Sequence, residues 1–265
     1  MKTNLKSVYN DIYATIKNYN FVEPTKNAIV DSFVQLINGK ILDAGCGEGV
    51  HLKRILSYGY DAFGVELSST CCERFLKDIP HDNNDIINFS RSTTIKFNGI
   101  LCMDVLEHIP YEDIDETIDS LKNISNIAMY GIANHSDILN GVELHIIQQD
   151  YNWWLRKLKL FYKNVYLIKT MDFGTDKAIF FMIYCDNKDV VDINVLTYFI
   201  GVNNSILLHI EHTALQAEHT ALQAEHTALQ AEHLGQQIIL DDLQNSRLIK
   251  WAQKVRNFIH YNKIK

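Results

Sequence analysis

The sequence lacks any apolar run long enough to cross a membrane. Its apolar stretches, such as residues 126–133, have only the length of a strand. Residues 1–20 also lack the uninterrupted apolar core of a secretory signal, because Lys, Asp and Asn are scattered through them. We therefore expect a cytoplasmic protein that is not integral to a membrane.

Cysteine patterns typical of disulfide frameworks or zinc sites are missing as well. The chain has five cysteines, none of them in a CxxC pair, and the adjacent Cys71 and Cys72 cannot both face one zinc ion. We expect reduced thiols that serve mostly as packing residues.

The chain also lacks an overall positive charge. Its formal net charge is −7 at pH 7, which argues against general nucleic-acid binding. The charge is unevenly distributed, because residues 201–245 contain six acidic side chains and no Lys or Arg, whereas residues 246–265 contain six basic side chains and no acid. The last segment is therefore electrostatically distinct from the rest of the chain.

From Lys40 onward, short apolar runs alternate with segments of helical spacing, which is the pattern of a parallel sheet with crossover helices. Strands are predicted over residues 40–45, 61–67, 97–103 and 126–132, with a terminal antiparallel pair over 164–171 and 178–185. Helices are predicted over residues 5–19, 50–58 and 68–79, the last capped by Ser68. The fold class is thus α/β, with a doubly wound, mostly parallel, Rossmann-like sheet in a domain covering residues 1–200.

A glycine-rich turn follows the first predicted strand in Ile41-Leu-Asp-Ala-Gly-Cys-Gly-Glu-Gly49. Glycine is needed there because a side chain would block a ligand and the turn demands unusual dihedral angles. Asp43 places a carboxylate at the strand end, where it would repel a phosphate but attract the ammonium of a methionine moiety. Glu66, at the end of the second strand, can accept hydrogen bonds from both hydroxyls of an unmodified ribose.

The glycine-rich turn, the end of the second strand and residues 102–110 together resemble the motifs of a known family. DAGCGEG, GVELS and CMDVLEHIP resemble the cofactor motifs of class I S-adenosylmethionine methyltransferases, and they are most similar to the small-molecule and sugar O-methyltransferase branch with its VLEH signature. The resemblance covers roughly residues 1–190 and implies a seven-stranded sheet with S-adenosylmethionine as cofactor. It implies a set of cofactor-binding positions at three strand ends: the backbone of Gly45, Cys46 and Gly47, then Glu66 with Leu67, and Met103 with Asp104 along the methionine.

The residue that reads the adenine amino group is less sharply defined. The family usually has an acidic or amide residue after the third strand, and residues 81–90 contain several such side chains. Asp85 is the predicted adenine contact.

Histidines are the candidates for handling the acceptor. Methyl transfer to a hydroxyl needs the acceptor oxygen in line with the sulfonium and a base that removes its proton. Residues 132–145 follow the strand predicted over residues 126–132, where the resemblance implies an acceptor pocket, and they contain His135 and His145. We hypothesise that His145 or His135 orients or deprotonates the acceptor; the alternative is a polar loop whose histidines bond backbone groups. His108 has the same two interpretations.

A heptad repeat forms the next segment. Glu211-His-Thr-Ala-Leu-Gln-Ala217 recurs unaltered at 218–224 and 225–231, and a period of seven predicts a helix. Leucine occupies one core position of the heptad and histidine the other, which is a weak seam. We predict a coiled-coil-like helical stalk over residues 201–245 that forms a homo-oligomer with pH-sensitive association.

Residues 246–265 have apolar and basic side chains on different sides of a predicted helix, as in helices that lie on anionic membranes. The alternative is a basic helix that docks on the acidic stalk or on the catalytic domain. The order of enzyme, stalk and basic tail also resembles the layout of some bacterial surface-polysaccharide enzymes, including certain fucosyltransferases and coiled-coil-bearing O-antigen methyltransferases.

We therefore interpret the chain as an O-methyltransferase that uses S-adenosylmethionine, requires no metal, and acts on a glycan or lipid-linked saccharide at the inner membrane surface. A ubiquinone-type or other small-molecule methyltransferase would share every cofactor residue. A non-catalytic scaffold that binds S-adenosylmethionine for other polysaccharide enzymes is the third interpretation.

Overall fold

A computed structural model describes residues 5–16, 19, 24–139, 141–172, 179–189 and 193–263. The chain divides into two compact units, Met1–Ile206 and Leu207–Lys265. The first unit contains the predicted catalytic domain, and the second contains the heptad repeat and the basic tail.

The first unit is built on a seven-stranded sheet. The strands of the chain are β1 (Ile41–Ala44), β2 (Ala62–Glu66), β3 (His81–Asn83), β4 (Gly99–Met103), β5 (Ile127–Asn134), β6 (Ile138–Leu139), β7 (Val142–Glu143), β8 (Asn164–Asp172) and β9 (Ile179–Asp186). The order in the sheet is β3-β2-β1-β4-β5-β9-β8, with β9 antiparallel to both of its neighbours and the remaining pairs parallel. The predicted α/β sheet, including its terminal antiparallel pair, is confirmed, and β6 and β7 form a separate small hairpin.

Helices connect the strands and cover the sheet. They are α1 (Leu5–Thr15), α2 (Pro24–Gln35), α3 (Val50–Ser57), α4 (Ser69–Phe75), α5 (Ile86–Ser92), α6 (Ile114–Ile124) and α7 (Tyr151–Leu158), with a 3-10 turn over Leu106–His108. The Ser68 hydroxyl accepts a hydrogen bond from the Cys71 amide, which confirms the predicted cap of α4. The helix predicted over residues 5–19 ends at Thr15.

Both faces of the sheet carry a packed core. Leu42, Ile100 and Tyr130 belong to the cluster on one face, and their chain neighbours Ile41 and Leu101 belong to the other. Alternate residues of a strand point to opposite faces, so strands buried on both sides supply both clusters. All five cysteines are buried free thiols, in agreement with the packing role predicted for them.

The repeat lies within a long helix, α8 (Ile193–Asn245), and the basic segment forms α9 (Arg247–Lys263). The sequence-based boundary between residues 200 and 201 falls inside α8. Leu215, Leu222 and Leu229 of the repeat are 57–65% exposed in this chain. Among the residues that the structure describes, no helix combines the length and the apolar character that a membrane crossing requires.

Candidate functional site

A cavity of about 1260 Å³ opens where the strands β1, β2, β4 and β5 end. Small-molecule sites typically have volumes of about 300–1000 Å³, so this cavity has room for a cofactor together with a second molecule. Its wall contains every site residue predicted from the sequence except Gly47: Asp43, Gly45, Cys46, Glu66, Leu67, Asp85, Met103, Asp104, His135 and His145. The carboxyl edge of the sheet therefore brings the cofactor candidates and the acceptor candidates to one crevice.

The glycine-rich turn has the backbone that its sequence predicts. Gly45 has φ 74° and Gly47 has φ 51°, both in the left-handed region that favours glycine. A Cβ atom on Gly45 would lie 2.5 Å from Cγ2 of Val105, so the turn packs directly against the loop after β4. Gly47 contributes its amide to Glu66 rather than a surface to the cavity.

Glu66 is held by the backbone of two elements. Its Oε2 accepts the Gly47 amide at 2.9 Å, and its Oε1 accepts the Ser68 amide at 2.7 Å. The side chain is 6% exposed, and burial raises the pKa of its carboxyl although the two amides oppose that shift. Each carboxylate oxygen retains a second lone pair, so a group entering the cavity can still donate to it. Its contact with ribose stays a prediction.

Asp43 has an unsatisfied oxygen that suits a cationic ligand. It is 2% exposed, and its Oδ2 has no hydrogen-bond partner among the described residues. Burial raises the pKa of its carboxyl to about 7. A positively charged group bound in the cavity would satisfy this atom, so the site fits the methionine part of S-adenosylmethionine.

Asp104 is engaged by a lysine that the sequence analysis did not identify. Nζ of Lys26, on α2, lies 2.9 Å from both carboxylate oxygens of Asp104 and 3.5 Å from the centroid of the Phe180 ring. Asp104 has φ 55°, an uncommon conformation for a residue other than glycine. No motif surrounds Lys26 in the sequence, and only the fold brings it to Asp104.

Asp85 lines the cavity but already has partners for both carboxylate oxygens. It is the N-cap of α5: Oδ1 accepts the Asn88 amide at 2.7 Å, and Oδ2 accepts Asn88 Nδ2 at 2.6 Å. Its contact with adenine stays a prediction.

A group of histidines lies at the ends of β4 and β5. Nδ1 of His145 donates to the His135 carbonyl at 2.7 Å, and Nδ1 of His108 donates to the Leu144 carbonyl at 2.9 Å. The His145 ring makes edge contacts with both other rings, with centroids 4.7 Å from His108 and 4.6 Å from His135. Burial lowers the pKa of His108 to about 4 and holds that of His145 below its usual value. Both rings are therefore neutral at pH 7.

Glu107, in the VLEH segment, is a buried carboxyl that was not among the site residues expected from the sequence. It is 0% exposed, and its Oε1 accepts the Ala133 amide at 2.8 Å. Within the part of the chain that the structure describes, its Oε2 has no hydrogen-bond partner. Its position next to His108 in the motif was the available signal.

Comparison with known proteins relates this chain to methyltransferases. A family model described as a methyltransferase domain matches residues 28–161. A ubiquinone biosynthesis O-methyltransferase from Methylococcus capsulatus is 24% identical over 102 residues, which cover 36% of this chain and 43% of that protein. The chain thus spans less than half the length of this relative.

Two solved structures have similar folds. One is a magnesium protoporphyrin IX methyltransferase from Synechocystis with bound S-adenosylmethionine, at a TM-score of 0.50 and 15% identity; the match covers 69% of this chain and 98% of that one. The other is a 1,6-didemethyltoxoflavin N1-methyltransferase from Burkholderia thailandensis with its acceptor and S-adenosylhomocysteine, at a TM-score of 0.53 and 12% identity, covering 69% and 88% of the two chains. At these identities the likeness concerns the fold.

Proposed function

Since this chain belongs to the family of methyltransferase domains and is an S-adenosylmethionine-dependent methyltransferase, we propose that it transfers a methyl group to a hydroxyl of a small organic acceptor. The observation that carries the proposal is the single cavity that joins Asp43 and Glu66 to the histidines. In the sheet order β2-β1-β4-β5, Asp43 and Glu66 lie in β1 and β2, Met103 and Asp104 lie at the end of β4, and the histidines lie by β4 and β5. The sites proposed for the methyl donor and for the acceptor are therefore adjacent.

In this proposal, one end of the cavity binds the cofactor and the other end binds the acceptor. Asp43 and Glu66 hold the cofactor, which supplies a methyl group on a sulfonium. His145, 5% exposed and fixed through its Nδ1, positions the acceptor hydroxyl. His135 lines the cavity and is partly exposed, so it takes the hydroxyl proton and passes it to solvent.

Replacing His135 with Ala is expected to lower the methyl-transfer rate by about 10²–10⁴-fold, which is the usual contribution of a general base. Replacing His145 with Ala is expected to raise the KM for the acceptor. Transfer of a labelled methyl group to lipid-linked oligosaccharide extracts and to simple phenols measures both effects. Calorimetry with S-adenosylmethionine should show unchanged affinity in both variants.

A suitable control is His226→Ala, because His226 is exposed in α8 and far along the chain from the cavity residues. Unchanged transfer in the His135 and His145 variants would refute their assigned roles. Absence of cofactor binding by the folded wild type would refute the whole proposed function.

For the acceptor we propose a glycan or lipid-linked saccharide, supported by the heptad segment and basic tail that follow the enzyme domain. A ubiquinone-type phenol is the second candidate, and the similarity to the Methylococcus capsulatus enzyme favours it. The position of the labelled methyl group in the product distinguishes the two acceptor classes.

We also propose that α8 associates with α8 of a second copy. Support comes from the exposed Leu215, Leu222 and Leu229, which recur at one heptad position. Replacing all three with Ser should shift the full chain to a monomer in sedimentation velocity at pH 7.5, whereas Ala224→Ser and Ala231→Ser should not. Identical sedimentation of the wild type and the leucine variant would exclude this interface.

The tail is proposed to bind anionic lipid surfaces. Support comes from the absence of acidic residues in 246–265 and from Trp251, which is 64% exposed. Changing Lys250, Lys254 and Arg256 to Gln should reduce flotation of the full chain with phosphatidylserine vesicles by at least about tenfold. Each basic side chain near an anionic surface contributes about 1 kcal/mol to the binding free energy. Equal flotation of both proteins, or none of the wild type, would contradict lipid binding.

A further inference from the structure

We propose that Glu107, His108 and His145 bind one divalent transition-metal ion beside the acceptor place in the cavity. Each of these residues offers a ligand atom, and the three atoms lie within 4.8 Å of one another. All three side chains are buried, with 0%, 7% and 5% exposure respectively. Two ligands that are each about 2.0–2.2 Å from one ion are at most about 4.4 Å apart. A shift of a few tenths of an ångström therefore closes the triad around a metal.

Both histidines are fixed in the orientation that metal ligands use. The Nδ1 of His108 and of His145 each donates to a backbone carbonyl, which leaves Nε2 of each ring with the lone pair. Histidine ligands in proteins commonly donate their other ring N–H to a carbonyl or carboxylate in this way, which fixes the tautomer and raises ligand basicity. The backbone thus presents two ligating nitrogens.

The carboxyl of Glu107 supplies the independent indication of a ligand. One of its oxygens is held by the Ala133 amide, while Oε2 is buried without a hydrogen-bond partner in the described chain. A buried polar atom without a partner is unfavourable, and a metal ion would provide the missing interaction. The neighbouring Asp104 is already paired with Lys26, and Asp137 Oδ2 lies 3.9 Å from Nε2 of His145. Asp137 is therefore a candidate for an additional ligand or a competitor.

The donor set indicates the class of metal. Two imidazoles and one carboxylate suit Zn²⁺, Fe²⁺, Mn²⁺ or Co²⁺, and such sites keep positions open for water or substrate. No metal was expected from the sequence, because the distance along the chain between His108 and His145 gives no sign that the two rings meet. Metal binding itself does not depend on the proposed reaction. Only its consequence rests on the proposed function: an acceptor oxygen bound to the ion loses its proton more easily, and His135 stands outside the ligand set to receive that proton.

Titration of the chelator-stripped full chain with Co²⁺ tests the site by visible absorption and calorimetry. We expect one equivalent that binds in the wild type and binds at least about 100-fold more weakly in Glu107→Gln and His145→Gln. Glu73→Gln, on the surface of α4, is the matched control and should titrate like the wild type. Histidines of the repeat contribute equally to all of these proteins, so the difference reports the triad.

Circular dichroism and the S-adenosylmethionine affinity of each variant establish that its domain is folded. Identical Co²⁺ titrations of the wild type and both folded triad variants would overturn the proposal and would leave Glu107 as a hydrogen-bonded acid. In that case intact cofactor binding and methyl transfer would still support the proposed function, so the two failures are distinguishable.

Discussion

Replacement of Asp43 with Asn is expected to weaken S-adenosylmethionine binding by about 30- to 150-fold at pH 8, which corresponds to the ~2–3 kcal/mol of a charge-assisted contact. The carboxyl is almost fully buried and Oδ2 has no partner in the described chain, so a cationic ligand is its natural counterpart. Asn keeps the shape of the side chain, removes its charge and replaces one acceptor oxygen with an NH2 donor. Calorimetry at fixed ionic strength measures the loss.

The same contact should make cofactor affinity depend on pH. Burial raises the pKa of Asp43 to about 7, so the free protein binds a proton there that a cationic ligand must displace. Below pH 7 the wild-type affinity should fall by up to tenfold per pH unit, equivalent to about 1.36 kcal/mol. The Asp43→Asn protein should show no such dependence. A parallel pH profile in the two proteins would exclude Asp43 as the cationic contact.

The stability of the ligand-free protein should move in the opposite direction. A carboxyl whose folded pKa is raised destabilises the fold as pH rises from its unfolded value of about 3.9 to about 7. Asp43→Asn removes this cost, so at pH 8 its free energy of unfolding should equal or exceed that of the wild type. Asp61→Asn, which changes an exposed carboxyl paired with Lys40, is the control and should alter neither affinity nor its pH dependence.

Replacement of Gly45 with Ala is expected to lower the free energy of unfolding by about 2–5 kcal/mol and to reduce cofactor affinity. The left-handed backbone costs ~1–2 kcal/mol for a residue with a Cβ, and overpacking adds ~1–3 kcal/mol. Overpacking applies because the new Cβ would lie 2.5 Å from the Val105 side chain. Urea denaturation measures the first effect and calorimetry the second.

Gly59 provides the matched control for that substitution. It has φ 82°, and a Cβ atom there would meet nothing within 4 Å. Gly59→Ala should therefore show the dihedral cost alone, about 1–2 kcal/mol, with unchanged cofactor binding. Equal destabilisation by the two substitutions would contradict the predicted overpacking cost. It would mean that the Val105 side chain moves away from the new Cβ without a loss of stability.

The central strands could be predicted because they are apolar and bounded by turns. β1 and β4 are buried along their whole length, and apart from Asp43 their sequences are apolar. β3 could not be found in this way, since its residues His81, Asp82 and Asn83 are polar and it spans only three positions. Its pairing with β2 depends on the backbone of the neighbouring strand rather than on its own side chains.

The positions of the glycine-rich turn and of the carboxylates proposed to bind the cofactor could likewise be located from the sequence, and the histidine group only in part. Glycine and carboxylate positions are tied to strand ends, and strand ends can be located from local pattern. The contact between Lys26 and Asp104 spans 78 positions, so no local pattern contains it. The same holds for His145, whose place beside His108 results from the course of the loop after β5. Tertiary proximity of this kind is not encoded in spacing along the chain.

The two backbone hydrogen bonds that anchor Glu66 lower the entropy cost of binding a ligand at this position. Both carboxylate oxygens are fixed by main-chain amides before any ligand enters, so the rotamer freedom of this side chain is lost during folding and not during association. Recognition at this position then needs little reorganisation. Changes in the loop after β5 can therefore alter the histidine group while the Glu66 carboxylate keeps its position.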